Sequence, residues 1–501
     1  MLQEIMEVSS FDGVLLLIAI LLFASIVASK TSFRAGVPML LFFMAIGMLV
    51  GEDGLGLQFN SPHAAQLIGT IALNFILFFG GFDTSFREVR PVLVAGSLLS
   101  IFGVLFTAIF LGLFAWWVLP GFSLAEGLLL GAVVSSTDAA AVFGVLRSRN
   151  LGLRGGLRPM LEFESGSNDP MAYLLTITFV GLVQHPDASL WHSVPALLLQ
   201  MLLGLAFGLV TGWLGKRVIN HIRLEYDALY ALLVMALMLL TYSLTNLAHG
   251  NGFLSIYVCA LYLGNQKLIH KNSIAKFFDG MAWLMQIAIF IVLGMLVTPR
   301  HLIPLIGVAL LIAAFLMLVA RPLSVFLSLL PLKIPFKNQL FVSWVGLKGA
   351  VPIVFATFPL VAGLEKGHVI FNIVFLISAV SVLVQGATLS YAAKLFGVSE
   401  PLRQRRKISI DIDLGDHDNV KSKFVQVVMP HSSKALGVPL VELGVPPRVA
   451  ISLIIRGDKY ITPYGGTTLE ANDKLLIVSE DAVGMAQMLE KLGVSGQVDW
   501  E

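Results

Sequence analysis

Long apolar runs separated by short polar segments fill most of this chain. A helix that crosses a bilayer needs about 20 mostly apolar residues. Measured by that length, the pattern predicts thirteen spans, near residues 11–29, 36–50, 65–82, 91–118, 124–146, 159–183, 191–215, 226–247, 250–264, 277–298, 302–331, 338–359 and 369–395. The pattern therefore predicts an all-α polytopic membrane domain over residues 1–396.

Lysine and arginine occupy alternate loops between these runs. Sixteen of them lie in the loops after the first, third, fifth, seventh, ninth and eleventh runs, whereas the loops between these contain only Arg300 and Lys366. Cytoplasmic loops are enriched in both residue types. The alternation predicts that the N-terminus lies outside the cell and the C-terminus in the cytoplasm.

The composition changes after Phe396. The linker predicted at 397–419 is basic around RQRRKIS, and the positive-inside rule explains this as a cytoplasmic stop signal. A small α/β cytoplasmic domain is predicted at 420–493, with a short tail at 494–501. Its elements are three Val- and Ile-rich strands at 423–429, 448–455 and 474–479 and a closing helix at 482–492. No GxGxxG fingerprint occurs there, so no dinucleotide cofactor is expected.

Composition excludes several classes of function. Hydrophobic residues make up 57% of the chain and charged residues 13%, against roughly 25% charged in soluble domains. The net charge of +2 gives no reason to expect a nucleic-acid partner. The single cysteine, Cys259, excludes an internal disulfide, and the histidines show no metal-ligand spacing. The lipid bilayer is the partner that the composition indicates.

Ionisable residues deep inside the apolar runs are the strongest functional signal. There are five: Asp138, Glu164, Asp169, Arg321 and Lys348. Charges inside a membrane are costly and usually pair with each other or line an ion path. Three acids against two bases leave one carboxylate in surplus. A proton or a monovalent cation can each neutralise it, and this competition is the minimal physics of cation/proton antiport.

Asp169 is the predicted binding group for the cation and the proton. It lies in the sequence ESGSNDP, where Ser165 is four residues earlier and shares its helix face. Both side chains offer oxygen ligands to a monovalent cation. The alternative is a permanent pair between Asp169 and Lys348. Glu164 is instead predicted to form a structural salt bridge with Arg321.

Two spans carry helix-weakening sequences at mid-membrane. The fifth contains SSTD at 135–138 and the twelfth contains GLKGAVP at 346–352. Breaks at matching places indicate inverted repeats whose broken helices cross, here spans four to six and eleven to thirteen. Lys348 is predicted to neutralise half-helix C-termini, with direct competition against the cation as the alternative. For Asp138 two roles stay open: neutralising half-helix N-termini, or belonging to the ion pathway.

Four motifs together give the sequence a family likeness. FESGSNDP, SSTDAAAVF, ARPLSV around Arg321 and GLKGAVP resemble those of the monovalent cation/proton antiporter-1 family, over roughly residues 10–395. The segment at about 420–493 is similar to the RCK-C (TrkA-C) regulatory domain. The pairing of the two resembles bacterial K⁺/H⁺ antiporters of the NhaP type.

The resemblance implies electroneutral exchange of K⁺, or Na⁺, for protons, and no enzymatic activity. It implies a homodimer in the bacterial inner membrane that works by an elevator-like movement and serves cytoplasmic pH, potassium and volume homeostasis. It assigns ion or proton binding to Asn168 and Asp169, places Thr137 and Asp138 at the crossing with the Thr137 carbonyl as a ligand, and pairs Glu164 with Arg321.

The sequence also departs from the family pattern. Many members have arginine at the position of Lys348 and a glutamate at the position of Phe79. Two rival functions are a cation channel gated by the cytoplasmic domain and an intramembrane protease that uses Asp138 and Asp169. The tail is expected either to bind a small-molecule regulator or to assemble the dimer.

Overall fold

The computed structural model describes residues 11–35, 39–57, 59, 61–149, 151–187, 190–401, 423–431, 433–457, 459–480 and 482–494. The chain forms two compact units, Met1–Leu402 and Arg403–Glu501. The basic segment predicted at 403–409 lies outside the described residues.

The first unit is helical. Its helices are α1 (Phe11–Ala35), α2 (Met39–Val50), α3 (Pro62–Asp83), α4 (Phe86–Val118), α5 (Leu124–Ser135), α6 (Ala139–Ser148), α7 (Leu157–Gln184), α8 (Leu190–His221), α9 (Asp227–Leu247), α10 (Gly252–Gly264), α11 (Lys271–Leu296), α12 (Pro299–Leu329), α13 (Phe336–Trp344), α14 (Ala350–Phe355), α15 (Thr357–Val361) and α16 (Gly367–Leu395). Every predicted span coincides with one of these helices or with a group of short helices separated by a break.

Seven helices in the described part of the chain are long and apolar enough to cross a membrane. They are α3, α4, α8, α9, α11, α12 and α16, and shorter apolar helices lie in α1, α2, α5, α10 and the run from α14 to α15. The predicted all-α membrane unit is confirmed, whereas the number of crossings stays a prediction. The helix α7 is outside both sets, because ESGSND lowers its hydropathy.

Helices α4 and α12 share an unusual anatomy. Each has a proline-containing 3₁₀ turn near its start, at Arg90–Val92 and Ile303–Leu305, and a π-helical turn further along, at Leu99–Gly103 and Leu316–Ala320. A broken helix and then a long helix follow in both cases. The π turn of each packs against the segment that follows the π turn of the other. This reciprocal packing supports the inverted repeat.

Close packing fixes the first broken helix in place. A Cβ atom added to Gly131 of α5 would overlap the backbone carbonyl of Ala108 in α4. The start of α5 is held by a capping box in which Ser123 and Glu126 satisfy each other's backbone N–H groups. The end of α5 is therefore positioned rigidly, and this is where the helix breaks.

A short sheet holds the end of the membrane unit. Strand β1 (Leu151–Leu153) pairs antiparallel with β2 (Ser399–Pro401). The Arg154 N–H also donates to the Val398 carbonyl, at 3.0 Å. The chain beyond α16 thus stays attached to the membrane unit up to Pro401.

The second unit is a small α/β domain. Its strands are β3 (Lys423–Val428), β4 (Val449–Arg456), β5 (Lys459–Ile461) and β6 (Lys474–Ser479), in the antiparallel order β3-β6-β4-β5, with one helix, α17 (Ala482–Lys491). Three strands and the helix match the predictions, whereas β5 was not predicted because it is only three residues long. In the segment of this helix and its end, Met485, Met488, Leu489 and Leu492 are buried, whereas Val483 is exposed.

Candidate ion-binding site

The two broken helices meet at their breaks. Helix α5 ends at Ser135 and α6 begins at Ala139, while α13 ends at Trp344 and α14 begins at Ala350. The Asp138 N–H donates to the Leu347 carbonyl at 2.8 Å, so the two gaps are hydrogen-bonded to each other. The structure thus has the crossing that the sequence predicts.

Asp138 lies at two half-helix N-termini. Its Oδ1 atom accepts a hydrogen bond from the Ala141 N–H in the first turn of α6, at 3.1 Å. A Cβ atom on Gly349, just before α14, would overlap the same carboxylate. Only glycine leaves room for this approach. The negative charge therefore faces the positive ends of α6 and α14, which stabilises both.

Lys348 lies at the C-terminal end of α5. Its Nζ atom donates to the carbonyls of Ser136 at 2.8 Å and Ser135 at 3.1 Å. These carbonyls lose their helical partners at the break, and a cation is favoured there. Among the described residues, no salt bridge joins Lys348 to Asp169.

Glu164 and Arg321 form a buried ion pair. Their side chains are 1% and 2% exposed, and the pair joins α7 to α12. Two Arg321 nitrogens, Nε and Nη1, have no hydrogen-bond partner within the described ranges. The pairing that the sequence predicts is present, and its charges are already matched.

Ser165, Thr137 and Asn168 close the first break. The Ser165 hydroxyl accepts from the Ala139 N–H at 2.8 Å and donates to the Thr137 carbonyl at 2.5 Å. The Asn168 Nδ2 atom donates to the Thr137 hydroxyl at 2.6 Å. Several predicted ligand atoms therefore hold the unwound backbone against α7 in this conformation.

Comparison with known proteins identifies the family. The model of the sodium/hydrogen exchanger transmembrane family matches residues 18–395, and that of the TrkA-C domain matches residues 424–492. The chain belongs to the sodium/hydrogen exchanger family. The likeness seen in the four motifs and in the tail is thereby confirmed.

Several named antiporters are similar to this exchanger. It is 40% identical to the K⁺/H⁺ antiporter NhaP of Alkalimonas amylolytica, over 85% of this chain and 76% of the relative. It is 39% identical to the K⁺/H⁺ antiporter NhaP2 of Shewanella sp. strain ANA-3, over 95% and 83%. The sodium proton antiporter MjNhaP1 of Methanocaldococcus jannaschii has the same fold, with a TM-score of 0.64 at 24% identity over 75% of this chain and 99% of that one.

Of the buried oxygens that have no hydrogen-bond partner in the described part of the chain, three belong to the first break of the exchanger and to the α7 segment beside it. They are Oδ1 of Asp169, Oδ1 of Asn168 and the hydroxyl of Ser136. The Ser136 hydroxyl lies near the Asp169 carboxyl, but the two groups do not have the geometry of a hydrogen bond. Buried polar atoms normally have partners, so such a group of oxygens needs an explanation. Oxygens at broken helices are the kind of group that binds alkali cations in transporters, so these three are candidate ligands.

A cavity of about 10 Å³ lies at the first break. Its lining includes Thr137, Asp138, Ser165, Glu164 and Arg321. A volume of this size holds about one water molecule. The cavity places the polar atoms around the first break next to the Glu164–Arg321 pair. No group of three or more His, Cys, Asp or Glu residues that could hold a metal ion occurs in the described ranges.

Sequence reasoning missed several residues around the site. From the sequence, Ser136 is only part of the helix-weakening segment SSTD. Asn251, at the start of α10, donates from Nδ2 to the Pro170 carbonyl at 2.9 Å, and the Tyr257 ring packs on Gly166. Gln385 of α16 donates to the Trp344 carbonyl at 2.8 Å. The signal that could have found them is a lone amide or hydroxyl within an apolar run.

Proposed function

We propose that this exchanger carries out electroneutral antiport of K⁺ for H⁺ across the bacterial plasma membrane, with Asp169 binding the cation and the proton in turn. The observation that carries the proposal is the buried Asp169 Oδ1 atom, which has no partner in the described part of the chain. A fixed charge of this kind in a dry site calls for a mobile partner.

The other intramembrane charges are already engaged. Arg321 pairs with Glu164, Lys348 with the carbonyls at the end of α5, and Asp138 with the start of α6. Asp169 is then the group whose charge must be balanced by H⁺ or by a monovalent cation. One proton replaces one cation on one carboxylate, so no net charge moves in a cycle.

Potassium is the proposed cation because two relatives that cover most of this chain are named K⁺/H⁺ antiporters. Sodium is the second candidate, since a more distant relative, 26% identical, is named a Na⁺/H⁺ antiporter. Channel function is not proposed, because the family is one of exchangers.

The decisive experiment is proton exchange in proteoliposomes, with K⁺, Na⁺ and Li⁺ supplied one at a time. The wild type is expected to exchange K⁺ for protons at a rate that does not depend on membrane potential, and more K⁺ is needed at lower pH. Asp169→Asn is expected to be folded and inactive, while Asp279→Asn, an exposed carboxylate on α11, serves as the matched control. Normal exchange by Asp169→Asn, or an apparent K⁺ affinity independent of pH, would falsify the proposal.

The tail is proposed to regulate exchange. It matches the TrkA-C domain and forms its own compact unit. Removal of all residues after Arg406 is expected to leave exchange intact and to shift its pH profile. An unchanged pH profile combined with loss of the dimer would show that the tail is an assembly element instead.

The proposal includes a homodimer with the N-terminus outside and the C-terminus in the cytoplasm, where exchange serves pH, potassium and volume homeostasis. In support of a dimer, α8 is the least buried of the candidate spans, with 17% of its apolar window buried within one chain. A second copy or lipid must cover that face. Cross-linking in native membranes distinguishes the two.

A further inference from the structure

A chain of three hydrogen bonds crosses the second break. The Lys348 N–H donates to the Ser381 hydroxyl at 3.0 Å, this hydroxyl donates to Gln385 Oε1 at 2.5 Å, and Gln385 Nε2 donates to the Trp344 carbonyl at 2.8 Å. Ser381 and Gln385 are each 1% exposed. The relay therefore lies in the protein interior, and both of its side chains come from α16.

The relay replaces one particular bond. In an unbroken α-helix the N–H of residue 348 would donate to the carbonyl of residue 344. Here the same donor and acceptor are joined through Ser381 and Gln385. The acceptor carbonyl at Trp344 needs a donor, and the Ser381 hydroxyl needs an acceptor. A glutamine side chain offers both without a charge.

The first break is closed differently. On α7 the Ser165 hydroxyl alone joins the Ala139 N–H to the Thr137 carbonyl. The residue four positions later, Asp169, keeps a carboxylate oxygen without a partner within the described residues. On α16 the corresponding pair is Ser381 and Gln385, also four apart and therefore on one helix face. On α16 the second residue of the pair, Gln385, helps to close the break. On α7 the second residue, Asp169, does not and stays available to an ion.

We propose that Gln385 is a positioning residue for ion binding. Through Ser381 it fixes the backbone of Lys348, whose ammonium group holds the carbonyls of Ser135 and Ser136 at the end of α5. Those carbonyls lie at the start of the first break, next to Asp169. This inference rests on the proposed function, because it concerns the binding of the cation by that same site.

The backbone anchor matters because the lysine side chain is flexible. A lysine ammonium group sits on a four-carbon stem and does not fix its own position. The crossing contributes a second anchor, the bond from the Asp138 N–H to the Leu347 carbonyl. If the relay is removed, Lys348 keeps its charge but loses one of two backbone supports, and the Ser136 end of the site becomes mobile.

The test compares matched serines one turn apart on α16. Ser378 is buried like Ser381, but its hydroxyl has no partner among the described residues. Ser381→Ala and Gln385→Leu are expected to raise the K⁺ concentration at half-maximal exchange by about tenfold, with a smaller effect on the maximal rate. Ser378→Ala is expected to leave both unchanged, and Ser381→Thr, which keeps the hydroxyl, to restore the wild-type value. Exchange is measured in proteoliposomes over a range of K⁺ concentrations.

Several outcomes overturn the inference. The first is that Ser381→Ala and Gln385→Leu reach half-maximal exchange at the same K⁺ concentration as Ser378→Ala. Another is a lower melting temperature with an unchanged half-maximal concentration, which would mean a structural role only. If Gln385→Leu does not fold, Gln385→Met replaces it, since methionine has a similar length, carries no charge and has no N–H to donate to Trp344. Inactive wild type, or active Asp169→Asn, would instead refute the proposed function.

Discussion

Two carboxylates on α7 have opposite surroundings. Glu164 is paired with Arg321, whereas the Oδ1 atom of Asp169 lacks a partner in the part of the chain that the structure describes. Burial does not distinguish them, since Glu164 is 1% and Asp169 is 6% exposed. What distinguishes the two carboxylates is the presence of a fixed counter-charge beside Glu164. A buried acid with a permanent partner holds helices together, and one without a partner is available to a mobile ion.

The largest expected effect is a difference in stability between the two sites. Glu164→Gln leaves the Arg321 charge uncompensated, so the free energy of unfolding is expected to fall by about 3–5 kcal/mol. Asp169→Asn removes an uncompensated charge, so its melting temperature is expected to equal or exceed that of the wild type. Both are measured by thermal unfolding in detergent.

The control for that comparison lies on the same helix. Glu162 pairs with Arg158 one turn away at 2.9 Å, and both side chains are partly exposed. Exposed pairs of this kind contribute little. Glu162→Gln is therefore expected to change the melting temperature much less than Glu164→Gln. Equal losses in Glu164→Gln and Asp169→Asn would show that the two carboxylates do not differ as described.

Much of this site could be predicted from the sequence. The five intramembrane charges are rare enough to be found by inspection. The electrostatics of half-helices predicts where Lys348 lies, whereas for Asp138 it leaves two roles open. The pairing of Glu164 with Arg321 was also predicted. These features follow from residue type and position in a span.

The rest could not be predicted, because it depends on local geometry and on distant contacts. Ser135 and Ser136 look equivalent in sequence, but Ser136 leaves the helix with φ −63° and ψ 154°. Its hydroxyl has no partner among the described residues, whereas the Ser135 hydroxyl donates back to the Ala132 carbonyl. Gln385 acts on a break 41 residues earlier in the chain. A lone amide within an apolar run makes Gln385 noticeable, but a linear pattern does not identify the break that it joins.

The second prediction tests which oxygens contact the cation. Ser136→Ala removes a hydroxyl that lies near Asp169, so the K⁺ concentration at half-maximal exchange is expected to rise by about tenfold, equivalent to about 1.4 kcal/mol. Ser135→Ala is the matched variant, because the Ser135 hydroxyl donates to the Ala132 carbonyl at 2.6 Å. It is expected to cause a smaller rise. Equal effects in concentration-dependent exchange assays would remove Ser136 from the ligand set.

The smallest effect is expected for a paired carboxylate at an exposed position. Asp53 accepts from the Arg300 backbone N–H at 2.9 Å and from its Nε atom at 2.6 Å. These bonds, chiefly the backbone one, hold the pKa of Asp53 below its ordinary value. The stabilisation is therefore present above the pKa of the unfolded chain. It is lost as the pH falls through the lower pKa of the folded protein.

Asp53→Asn is expected to melt slightly below the wild type at neutral pH, and the two curves should converge in acid as the wild-type carboxyl takes up a proton. Melting temperatures measured as a function of pH test this. Solvent screens the ion pair, so added salt is expected to shrink the difference between Asp53→Asn and the wild type. The same salt should leave the Glu164→Gln deficit in place, because that pair is inaccessible to counterions. If salt abolished both differences, burial would not be the property that distinguishes the Glu164–Arg321 pair from the exposed Asp53–Arg300 pair.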